Sequence, residues 1–153
     1  MKLLILFLLM VQVAQAASSG NLLLSGVVAP NNSLVITPNG TNNTTLNVTA
    51  GVSNLNVASV AETSNDGNGY KITAQSVNSG FLQLSATAKA AYTFSYNGAA
   101  AISLTNAAQT VKTSAALTQL TTATSQVVVN VTALPNALAG TYSDTVTISI
   151  VGL

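Results

Sequence analysis

The stretch from residue 140 to residue 151, Gly140-Thr141-Tyr142-Ser143-Asp144-Thr145-Val146-Thr147-Ile148-Ser149-Ile150-Val151, alternates almost without a break. Tyr142, Val146, Ile148 and Ile150 share one parity with Asp144, while Thr141, Ser143, Thr145, Thr147 and Ser149 take the other. Successive side chains on a strand point to opposite faces, so this spacing makes one greasy face and one hydroxylated face. A strand with one buried side belongs to an antiparallel sheet that covers a core on one face only.

The same rhythm, rich in Val, Ile and Thr, runs upstream. It predicts strands over residues 21–29, 33–37, 44–49, 54–63, 69–77, 81–86, 91–96, 102–104 and 126–133. Turn residues separate them: Pro30-Asn31-Asn32, Pro38-Asn39-Gly40, Asn65-Asp66-Gly67-Asn68-Gly69, Asn78-Ser79-Gly80, Asn97-Gly98 and Pro135-Asn136. Many short strands at regular spacing point to an all-β sandwich or barrel. A membrane barrel would carry aromatic girdles at its strand ends, which are missing here. Residues 107–124, rich in Ala, Thr and Gln, fit a strand pair, a short helix or a loop. With no internal repeat and no linker, residues 17–153 read as one domain.

Composition narrows the function. The chain has 153 residues, of which 48% are hydrophobic and only 5% charged, and it has no His, Cys, Trp or Arg. Without imidazole or thiol it lacks the usual bases, nucleophiles and nitrogen or sulfur metal ligands. Lys2, Lys71, Lys89 and Lys112 are too scattered to neutralise a run of phosphates, so nucleic acid is a poor partner. Neither an enzyme nor a cofactor is expected.

Residues 1–16 open with Lys2, continue through the apolar run Leu3 to Val11, and close on Ala14-Gln15-Ala16. That is the layout of a secretory signal peptide with a small-residue cleavage site. The apolar run is much shorter than the roughly 20 residues that cross a bilayer, so no membrane span is expected after cleavage. Cleavage leaves Lys71, Lys89 and Lys112 against Glu62, Asp66 and Asp144, a formally neutral chain. Low net charge removes the repulsion that keeps proteins apart, so the chain is suited to assembly or is kept soluble by its abundant hydroxyls and amides. Export permits disulfides, yet there is no Cys, so the core must suffice alone.

Few residues could carry chemistry. Glu62 and Asp66 flank a glycine turn, but two carboxylates at this spacing do not match a calcium loop, and a hairpin turn is the simpler reading. As a glycosidase pair they would have to face each other across a cleft. Asp144 is isolated. Tyr92, Phe94 and Tyr96 form an aromatic stripe that either fills the core, the favoured reading, or offers Tyr92 and Tyr96 as a sugar-binding face. Asn-x-Ser/Thr triplets begin at Asn31, Asn39, Asn42, Asn43, Asn47 and Asn130, as chance allows in a chain rich in Asn and Thr.

Leu24-Ser25-Gly26-Val27-Val28, followed by Ser33-Leu34-Val35-Ile36, resembles the opening strand of bacterial fimbrial subunits. Ala139-Gly140-Thr141-Tyr142-Ser143-Asp144-Thr145-Val146-Thr147-Ile148 is similar to the closing strand of the spore coat protein U type domain, shared by subunits of archaic chaperone and usher pili. The resemblance implies an immunoglobulin-like antiparallel β-sandwich, passage through the periplasm with a chaperone, and donor-strand assembly with other subunits at the cell surface. The strand-exchange segment would be either Leu22, Leu24 and Val28 or Val146, Ile148 and Ile150. Two departures stand out. The disulfide cysteine common in such subunits is replaced by the neighbourhood Asn31-Asn32-Ser33. If residues 21–29 are the first strand, what precedes them is too short to fill a neighbour's groove. Either residues 22–28 are themselves the donor and Ser33 begins the domain, or the protein caps a fibre or stands alone. The competing expectation is a secreted module that binds a glycan or a surface and does not polymerise.

Overall fold

The computed structural model describes residues 18–153, so the segment read as a signal peptide lies outside the described residues. Among the described residues eight strands form: β1 (Asn32–Pro38), β2 (Val52–Ser64), β3 (Tyr70–Ser76), β4 (Phe81–Gln83), β5 (Lys89–Tyr96), β6 (Gln109–Thr113), β7 (Thr121–Val131) and β8 (Val146–Gly152). They build two antiparallel sheets, one in the order β1-β2-β7-β5-β4 and the other β6-β3-β8. The fold is the expected all-β sandwich. Alternation supplies the core: Val60, Ile72, Ala74, Phe94, Val127, Val129 and their neighbours point between the sheets, and Thr, Ser and Gln face outward.

Tyr92, Phe94 and Tyr96 lie inside this core, with 5%, 1% and 1% of their surface exposed. Of the two readings of the stripe, burial agrees with the favoured core and corrects the alternative, a sugar-binding face at Tyr92 and Tyr96. In a chain with so few large side chains, these rings fill the space between the sheets.

Several strand expectations also change. Residues 21–29 join no sheet, and residues 44–49 are turn and irregular chain. Ile102 makes only an isolated bridge to Phe94. Residues 107–124 hold β6 and the start of β7. The alternating stretch at the end of the chain divides at Asp144. Ser143 exchanges backbone hydrogen bonds with Gln83 beside the first sheet, whereas Val146 onward pairs with β3 in the second. Alternation cannot show which partner each half of a strand takes.

The Asn65 to Gly69 turn is not a hairpin either. Strands β1 and β7 occupy both sides of β2, so the chain must arch across to the other sheet to begin β3. The arch sets the inner faces of β2 and β3 opposite each other, bringing Glu62 against Tyr70. Truncating the centre of the aromatic stripe tests the packing. Phe94→Ala should cost about 3–5 kcal/mol of unfolding free energy in a urea titration. A loss below about 1 kcal/mol would mean that the ring is not a core element.

Candidate functional site

The two sheets do not close over the core along one side. Strand β1 pairs only with β2 and β8 only with β3, so each presents an outer edge of unpaired backbone groups. These edges face each other. Near one end they converge: Gly152 comes so close to the start of β1 that an added Cβ would run into Asp66 Oδ2 and lie 3.0 Å from Asn32 Nδ2. Asn68 Nδ2 donates to the Leu153 carbonyl at 3.2 Å and fastens the same end. Because the start of β1 meets the end of β8, the two strands run in opposite directions.

Away from that fastening the edges separate over a groove of about 240 Å³. Ile36 and Pro38 form one lip, Val146 and Ile148 the other, and Phe94 and Val129 part of the floor. Apolar cavities of roughly 150 Å³ already take up a small aromatic molecule, so there is room here for more than one side chain. The inward residues of β8, namely Val146, Ile148 and Ile150, are only half-buried, and Ile36 is 44% exposed. Beyond Leu46 the groove continues into a more polar hollow beside Thr44, Thr49 and Tyr142.

Polar networks hold the frame of this groove. Glu62 on β2 is fully buried; it accepts from Tyr70 Oη at 2.7 Å, Tyr96 Oη at 2.6 Å and Lys112 Nζ at 2.6 Å. Lys112 belongs to β6, so this ion pair ties the two sheets together across the core. Burial pushes the Glu62 carboxyl up, but the bonds from Lys112, Tyr70, Tyr96 and Ser125 outweigh it and hold its pKa below the ordinary value. Tyr70 and Tyr96 shift upward, through burial first and then through the carboxylate beside them.

Asp144 sits where the last segment passes from one sheet to the other. Its carboxylate accepts from Ser76 Oγ and Tyr92 Oη, each at 2.5 Å, and from the backbone N–H of Asn78 at 3.0 Å and Thr145 at 2.7 Å. Asp66 accepts from the Asn68 N–H at 3.1 Å within its turn. Glu62 and Asp66, neighbours in sequence, are thus divided between core and turn, and Glu62 faces Lys112 instead. No local pattern announces that pairing, because the partners lie 50 residues apart and meet only when the sheets stack. Among the described residues no three His, Cys, Asp or Glu side chains gather as metal ligands would.

The remaining feature is the arm, residues 18–31. Leu22, Leu24 and Val28 are 82%, 82% and 85% exposed and belong to no strand. The base of the arm is held by Asn65. Its backbone N–H donates to the Asn31 carbonyl at 3.2 Å, its Oδ1 accepts from the Asn31 N–H at 2.6 Å, and its Nδ2 donates to the Ala29 carbonyl at 2.9 Å. The structure therefore leaves Leu22, Leu24 and Val28 on an uncovered arm and places Val146, Ile148 and Ile150 along the open groove. No protein-family model, curated protein or solved structure matches the chain.

The Glu62 network predicts a definite pH response. A carboxyl with a depressed folded pKa stabilises the fold above its unfolded value, about 4.3, and that contribution is lost as pH falls through the folded pKa. Tyr70, Tyr92 and Tyr96, with raised values, act at the other extreme: stability falls once pH passes about 10, where the unfolded chain ionises first. Lys112→Met should cost about 3–5 kcal/mol at pH 7 by leaving Glu62 buried without its cation, and adding Glu62→Gln should restore part of the loss. Urea titrations from pH 3 to pH 11 measure both effects. A single mutant as stable as the parent would contradict the ion pair.

Proposed function

We propose that the protein is an exported bacterial surface subunit of fimbrial type, which assembles by β-strand addition and is not an enzyme. One observation carries the reading: an apolar groove between two unpaired sheet edges and an exposed apolar arm occur in the same chain. An inserted strand would satisfy both edges and cover Val146, Ile148 and Ile150.

The occupant that fits is the arm of a second copy. The segment Leu22 to Val28 has the length of β1 and β8, which span 7 residues each. Laid into the groove, Leu22, Leu24 and Val28 fall on one face with Gly26 between them, and each apolar side chain gains about 1.5–3 kcal/mol on burial. The domain's first strand begins at Asn32, which leaves all of this segment available as donor. Before assembly, a chaperone strand in the same groove would keep these edges from pairing at random, consistent with passage through the periplasm to the cell surface. With Tyr92 and Tyr96 in the core, they offer no face to a glycan.

Removing residues 18–29, or introducing Leu24→Asp, should convert assemblies of the mature protein to monomers in light scattering after gel filtration. The melting temperature of the separated domain should stay close to that of the parent monomer. Assemblies of unchanged size would reject the arm as donor.

A further inference from the structure

We propose that Asn65 aims the arm away from its own groove, so that the arm reaches a second copy instead of closing on the domain that carries it. This inference rests on the strand-addition reading above. It addresses a competition that the topology creates. The arm joins β1 at Asn32, beside the fastened end of the groove, so a tight turn just before Asn32 would lay residues 28 to 22 back along the free edge of β1. Ala29-Pro30-Asn31-Asn32 contains residues suited to such a turn. A tethered segment meets its groove at an effective concentration that can reach millimolar, so self-closure would outcompete a second copy unless something opposed it.

Asn65 is placed to oppose it. In the β1–β2 ladder Asn32 lies opposite Ser64, so Asn65 and Asn31 are the next pair outward. The Asn65 backbone N–H bonds to the Asn31 carbonyl, and the ladder would end there because the chain turns away into the arch. The side chain carries it further. An amide side chain has a carbonyl acceptor and an NH₂ donor, much like a peptide group. Here the acceptor takes the Asn31 N–H at 2.6 Å and the donor reaches the Ala29 carbonyl at 2.9 Å. Residues 29 to 31 are thereby held as an outward continuation of β1, with Pro30 between the two anchored residues limiting rotation further. Reversing the arm would require Ala29 and Asn31 to leave Asn65. Aspartate keeps only the acceptor half of this clamp, and alanine keeps neither.

The absence of cysteine makes the test direct. Spin labels at Leu23→Cys on the arm and Thr147→Cys on β8 report the arm's distance from the groove by pulsed dipolar spectroscopy, in mature protein diluted below its assembly threshold. With Asn65 present, the arm label should lie far from β8. Asn65→Ala should add a short-distance population and raise the protein concentration needed for half-assembly by about tenfold or more, the effect on the equilibrium expected from two lost hydrogen bonds. Asn65→Asp should fall between the two, which separates loss of the clamp from general damage to the turn. Distances and assembly in Asn65→Ala equal to the parent's would overturn the proposal. Deleting residues 18–29 in the parent serves as the reference. If that deletion leaves assembly intact, the strand-addition reading itself fails; if it abolishes assembly while Asn65→Ala changes nothing, only the role of Asn65 is lost.

Discussion

Backbone groups along the facing edges of β1 and β8 have no strand between them, and the apolar side chains beneath stay half-exposed. An antiparallel sandwich normally covers its core from both sheets and blunts its edges with charge, proline or short strands. Here β8 is a 7-residue edge with Val146, Ile148 and Ile150 turned inward, and the only proline on the opposite lip is Pro38 at the end of β1. Such an edge is a liability for a protein that stays alone. It is the working surface of one that binds a strand.

A sandwich open along one side needs other ties between its sheets. The buried Glu62–Lys112 pair, braced by Tyr70 and Tyr96, supplies one such tie deep in the core, and Asp144 supplies another where the chain crosses between sheets. These networks also explain how so few charges are distributed. Glu62 and Asp144 are consumed inside the frame, and Lys112 is committed to Glu62. The outward positions of β3 and β8 carry mainly hydroxyl and amide side chains, such as Thr73, Gln75, Thr147 and Ser149. With so little surface charge, an association of this chain would depend on backbone edges and apolar fit more than on electrostatic steering.

The alternation of residues 140–151 was enough to predict a one-sided strand and, with its upstream counterparts, the all-β architecture. It could not show that this stretch serves two sheets, because alternation records which face is buried and not which strand lies alongside. The same limit applies to Leu22-Leu23-Leu24-Ser25-Gly26-Val27-Val28: its composition is that of a strand, and whether its partner lies in the same chain is invisible locally. Asp66-Gly67 reads as a hairpin until the two neighbours of β2 leave β3 no place beside it. Glu62 and Lys112 show no mutual signal, since sheet stacking alone makes them neighbours. Tyr92 and Tyr96 were legible as a stripe, and burial decided which way the stripe faces.

If the groove between β1 and β8 takes the arm as an added strand, a free peptide of the arm's sequence should bind there, and peptide complementation reads that binding directly. A domain beginning at Pro30 would be mixed with a synthetic peptide of residues 18–29, and amide hydrogen exchange followed along both edges. An added strand should give saturable slowing of exchange at alternate residues of β1 and β8 and a raised melting temperature, with neither effect from a peptide carrying Leu24→Asp. Exchange along both edges that stays unchanged at saturating wild-type peptide would contradict strand addition.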